Sequence, residues 1–132
     1  MAIDRADWYW ESTEKLYRET HGITGELTET QEDEIWNLSA EHIGIFLEWI
    51  IENGMEGVDC DKEDCEKVRS GKMSGTEYLF RNCDGKLCDV DINEDLLPFV
   101  EYYYNKYCED YGKYDSSLLK KKITERYEKY VD

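Results

Sequence analysis

Apolar residues recur at helical spacing through most of the chain, and the densest run falls between residues 28 and 53. Ile35, Leu38, Ile45 and Trp49 make one stripe there, and Trp36, Ile43, Phe46, Leu47 and Ile50 broaden it beyond a single seam. Such a helix is exposed at its start and buried on most sides in its second half. Thr28 and Gln31 have the spacing of a capping box, and Glu29, Glu32, Asp33 and Glu34 load the first turns with the negative charge that the helix dipole favours. Asn53-Gly54 supplies the stop, because Gly tolerates the left-handed conformation that closes a helix.

The same signals place shorter elements on either side. A helix opens at Ser12 or Thr13 and closes at His21-Gly22, a polar one covers 61–70, and another covers 74–82. Before them, Trp8, Tyr9 and Trp10 are expected to dock onto the helical body. Asp84-Gly85 is a turn, and an extended pair of residues 78–80 with 87–90 around it is the alternative to helix at that point. Asn93 opens a further helical region in which Pro98 marks a break or a fresh first turn. Phe99, Tyr103, Tyr107 and Tyr111 then fall every fourth residue, with Val100, Tyr104 and Cys108 as a neighbouring row. Gly112 interrupts this pattern, and Leu119, Ile123, Tyr127 and Tyr130 form the stripe of a last helix. The expected fold is a single all-α domain over 1–132. It is a bundle of five to six helices around the long one at 28–53, with at most one short β-hairpin.

Charge changes this picture more than composition does. The formal net charge is −16 over 132 residues, and from Glu19 to Asp61 twelve carboxylates occur without a single Lys or Arg. Residues 113–132 carry six basic and four acidic side chains, a net of +2, which leaves −18 on the first 112. Nucleic-acid binding is therefore not expected, since phosphate contacts need Lys and Arg that the main acidic stretch lacks. A basic protein is the natural partner, with solubility alone as the plainer reading of the same charge. The start is acidic and has no apolar core of a leader, and the longest apolar run, 43–47, is too short to span a bilayer. Five cysteines, an odd number, read as reduced thiols, so a cytoplasmic protein without membrane contact is expected.

Candidate chemistry is sparse. Cys60 and Cys65, then Cys83 and Cys88, form two similar pairs that invite a four-thiolate zinc reading, but structural zinc takes tighter pairs on knuckle turns. Asp59, Asp61 and Glu63, and again Asp89, Asp91 and Asn93, imitate the start of a calcium loop. Both then carry Asp64 or Glu94 where Gly is required, and Ser70 or Val100 where Glu is required. No metal or cofactor is expected on these patterns. His21 suits a helix end, whereas His42 lies on the inward face of the long helix. A buried, hydrogen-bonded histidine is the plain reading of it, because a single His without a partnered nucleophile makes no active site.

Two motifs carry a family resemblance. Asp4-Arg5-Ala6-Asp7-Trp8, and Ala40-Glu41-His42-Ile43-Gly44 continuing to Trp49 and Ile50, resemble motifs of a bacterial family of short acidic domains without an established activity. The similarity runs from Ile3 to about Tyr114. In that family a His often follows the first Trp, and Tyr9 stands there in this chain. The size and acidity are also similar to those of immunity proteins that neutralise bacterial toxins, an analogy at the level of size and charge.

Three functional expectations follow. The first is an acidic interaction domain, of immunity type or otherwise, presenting Glu29, Glu32, Asp33, Glu34 and Glu41 to a basic protein. The second is an enzymatic or metal-dependent site around His42 with Asp4, Asp7 and Trp8; no catalytic residue is named for it. The third is self-association through the Tyr-rich helix.

Overall fold

The computed structural model describes residues 2–132. Among them, six α-helices and one two-stranded sheet are arranged around the long helix. The elements are β1 (Ala2–Arg5), α1 (Trp10–His21), α2 (Glu29–Glu52), α3 (Lys62–Arg69), α4 (Gly75–Cys83), β2 (Lys86–Cys88), α5 (Leu97–Asp110) and α6 (Ser116–Val131). Short 3-10 turns cover Ala6–Tyr9 and Asp89–Asp91.

Local chemistry sets the limits of α2. The Gln31 amide donates to Thr28 Oγ1 at 3.1 Å, and the Thr28 amide donates back to Gln31 Oε1 at 2.9 Å, so two amides that the helix cannot satisfy are paired. Gly54, at φ 69°, ends it. From Ile43 onward the helix is enclosed: Ile43, Phe46, Leu47, Ile50 and Ile51 have no exposed surface.

The tightest packing is where α2 crosses α4. A Cβ on Gly44 would lie 2.2 Å from Thr76 Oγ1 and 2.6 Å from its amide nitrogen, and one on Gly75 would lie 1.9 Å from the Gly44 carbonyl oxygen. Only glycines permit this approach. It delivers the first amide of α4, Gly75 N, to the Glu48 carboxylate at 2.8 Å, an anion at a helix N-terminus. Lys120 of α6 reaches the same carboxylate and also Glu52, at 3.0 Å. Trp49 donates through Nε1 to Thr124 of α6 at 2.9 Å.

The rows expected on α5 form core. Phe99, Val100, Tyr103, Tyr104 and Tyr107 are buried, with Phe46 edge-on to Tyr104 and Tyr107. Pro98 sits in the first turn, where its missing amide costs nothing. Most of the tyrosine surface that self-association would use therefore faces inward, while Tyr102 remains exposed.

The helix expected over 74–82 forms, and the extended pair weighed against it does not. Residues 78–80 are helical, capped by Ser74 through the Glu77 amide, and β2 instead pairs antiparallel with β1. Asp84 and Gly85, both at positive φ, turn the chain from α4 into β2. A register shift between Ala2 and Asp4 marks an irregularity in β1, and Asp4 is buried beneath it. Of the expected N-terminal aromatics, Trp10 packs against Trp36 with centroids 4.5 Å apart, whereas Trp8 is 59 % exposed. Among the described residues, no helix is long and apolar enough to cross a membrane.

Candidate functional site

Two regions concentrate the polar chemistry: a buried cluster under β1 and the exposed first half of α2. The buried cluster is centred on Asp4, which is 1 % exposed. Its Oδ1 accepts the Arg5 amide at 2.9 Å. Its Oδ2 accepts the Tyr104 hydroxyl at 2.7 Å and faces His42 Nε2 at 3.1 Å. Burial pushes the Asp4 carboxyl upward, but hydrogen bonds from His42, Tyr104 and Tyr9 outweigh it, and the group is held below the ordinary carboxylate range. Asp4 is thus an acceptor, and Nε2–H of His42 is the donor in their contact. Tyr9 and Tyr104 are both raised, by burial and then by Asp4, so they stay neutral hydroxyls.

His42 is held from all sides. The Tyr9 ring lies edge-on at 4.5 Å, the Tyr111 ring is tilted at 5.4 Å, and the His42 carbonyl accepts the Tyr107 hydroxyl at 2.5 Å. Cys108 of α5 lies half-buried beside the cluster, and burial, then the nearby Asp4 charge, raise its thiol to about 11. One ligand atom each from Asp4, His42 and Cys108 lie within 4.8 Å of one another. Three elements distant in sequence, β1, α2 and α5, supply them.

Asp7 and Trp8 lie outside this cluster. After Arg5 the chain enters the 3-10 turn, which sends Asp7 outward to the Arg5 guanidinium at 2.9 Å, with the Arg5 group 6.0 Å from the Trp8 ring. Tyr104 and Cys108, absent from the sequence-based candidates for this region, complete it instead. The signal in the sequence was their row with Val100, which marks an inward face without saying what that face meets. Two roomy surface grooves open elsewhere. One of about 660 Å³ runs past Arg5, Asp33, Trp36, Phe80 and Lys86, and one of about 760 Å³ passes Leu38, Glu41, Thr76 and Arg81.

On α2, Glu29, Glu32, Asp33, Glu34 and Glu41 are all exposed. None of the five forms an ion pair among the described residues. At about 100° per residue, Glu29, Glu32 and Asp33 lie roughly a third of a turn from Glu34 and Glu41. They make two adjoining strips. Glu34 accepts the Tyr17 hydroxyl, and Glu41 helps burial raise the Tyr111 hydroxyl to about 12. Carboxylates further along the chain are matched by the fold itself: Glu48 and Glu52 by Lys120, Glu56 by Arg69 at 2.9 Å, and Asp64 by Arg81 at 2.9 Å.

Three of the four cysteines in the paired motif lie against other groups, two of them against Asp91. Cys65 is close to the Tyr78 hydroxyl at 3.6 Å, Cys83 to Asp91 Oδ1 at 3.6 Å, and Cys60 to the Asp91 carbonyl at 3.7 Å. Among the described residues, the only group of three or more His, Cys, Asp or Glu side chains gathered at metal-binding range is Asp4, His42 and Cys108.

A family model described as a domain of unknown function, DUF7832, matches residues 2–129, and the chain belongs to that family. No curated protein and no solved structure matches it.

Proposed function

We propose that this member of the DUF7832 family is an interaction domain that binds a basic protein surface through α2 between Glu29 and Glu41, in the manner of an immunity-type inhibitor. The observation that carries the reading is that Glu29, Glu32, Asp33, Glu34 and Glu41 are exposed without a cationic partner, on a helix whose other half is locked in the core. Clustered charge of one sign raises the rate of encounter with a cationic surface, and a rigid backbone keeps the ordering cost of binding low. Carboxylates at fixed spacing also imitate a phosphate backbone, which fits a partner that handles nucleic acid. Arg5 and Lys86, in the groove that also contains Asp33, would set the register of such a complex.

The test is association with a panel of basic nuclease domains, measured for the wild type and for a variant carrying Glu29→Gln, Glu32→Gln, Asp33→Asn, Glu34→Gln and Glu41→Gln. The reading expects at least one partner whose affinity falls by tenfold or more in the variant. Binding that ignores the five changes would remove it. An enzymatic centre at His42 has an acid–base pair in Asp4 and His42, but neither of the two grooves described above is lined by them. No observation favours that reading over the first.

A further inference from the structure

We propose that Asp4, His42 and Cys108 form a binding site for one zinc-class divalent ion, separate from the acidic strips of α2. The three side chains supply a carboxylate oxygen, an imidazole nitrogen and a sulfur, all within 4.8 Å of one another. Zinc bonds of about 2.0 Å to oxygen and nitrogen and about 2.3 Å to sulfur place tetrahedral ligand atoms roughly 3.2 to 3.8 Å apart. Asp4 Oδ2 and His42 Nε2, at 3.1 Å, already stand near that separation, and with Cys108 the whole set lies within 4.8 Å.

The surroundings suit a cation. Asp4 is a buried carboxylate whose one ion-pair partner among the described residues is His42, and Tyr9 and Tyr104 bring hydroxyls but no charge. A dication bound to the Asp4 carboxylate and the Cys108 thiolate gives a neutral set, with His42 as the uncharged third ligand. In forming it, the ion displaces the thiol proton of Cys108, and the imidazole carries its own proton on Nδ1 instead of Nε2. Outer contacts hold the ligands in advance: the Tyr104 hydroxyl on Asp4, the Tyr107 hydroxyl on the His42 carbonyl and the Tyr9 ring against the imidazole. A mixed nitrogen, oxygen and sulfur set selects zinc or cobalt over magnesium, and three protein ligands leave a fourth position open.

Cobalt(II) titration of chelator-treated protein tests this, because a cobalt–thiolate bond gives a charge-transfer band in the near ultraviolet. The expected result is one equivalent bound with that band, no response to magnesium, and a zinc-dependent rise in melting temperature. Cys108→Ser should abolish the band, Asp4→Asn should weaken binding at least tenfold, and Cys83→Ser should leave both unchanged. Circular dichroism establishes that each variant is folded, and Cys108→Ala serves if the serine variant is not. Absence of uptake by the wild-type protein, or a thiolate band that survives loss of the Cys108 sulfur in a folded variant, overturns the proposal.

Discussion

The two halves of α2 treat negative charge in opposite ways. In the second half, Glu48 and Glu52 sit beside residues with no exposed surface, and the fold meets them with Lys120 and the Gly75 amide. In the first half and at Glu41 just beyond it, five carboxylates stand in solvent, and no Lys or Arg pairs with them among the described residues. One continuous helix thus carries charge that the fold uses and charge that it leaves for something else. Lys120 is fixed at the buried end, so the imbalance lies in how the charges are packed as well as in composition.

The largest effect that separates the halves should come from Gly44→Ala. Its new methyl group meets the Thr76 backbone, which cannot yield without moving α4, so a loss of about 3 kcal/mol is expected in urea denaturation. Glu48→Gln comes next. It loses the Lys120 pair and weakens the bond from Gly75 N, at a cost of about 1 kcal/mol by the same measurement.

Asp64 extends the contrast to α3. The Asn82 amide, then Arg81 and Lys67, hold its carboxyl below the ordinary range against the opposing effect of burial. A depressed folded-state value stabilises the protein above the unfolded value of about 4, and the benefit disappears as pH falls through the folded value. Asp64→Asn should therefore be less stable than wild type at neutral pH, with the difference closing in acid. Urea midpoints at neutral and acid pH measure this. The smallest effect belongs to the exposed carboxylates of α2: replacing all five, Glu29 to Glu41, by amides should change stability by no more than about 0.5 kcal/mol per site. A larger loss would mean that those charges serve the fold after all.

What the sequence reveals follows the range of the interactions involved. The limits of α2 were legible because the capping box and the Asn-Gly stop lie within a few residues of the ends they define. The burial of Tyr103 and Tyr107 was legible from spacing. The sheet was not, because β1 and β2 are three or four residues long and lie more than eighty residues apart, beyond any periodic signal. The region around His42 was legible in part. Its inward direction followed from the stripe, and Asp4 and Asp7 were equal candidates until the 3-10 turn buried one and exposed the other. Tyr104 and Cys108 came from the far side of the core, where only packing decides which row meets which strand.

The salt dependence of binding to a basic partner bears most directly on the proposed role of α2. Wild-type protein and the Glu52→Gln variant should lose affinity steeply as ionic strength rises, because exposed charges are screened within about 10 Å at 0.1 M salt. The five-site variant should bind weakly and show a much flatter dependence. Equal salt slopes for the wild type and the five-site variant would contradict the account.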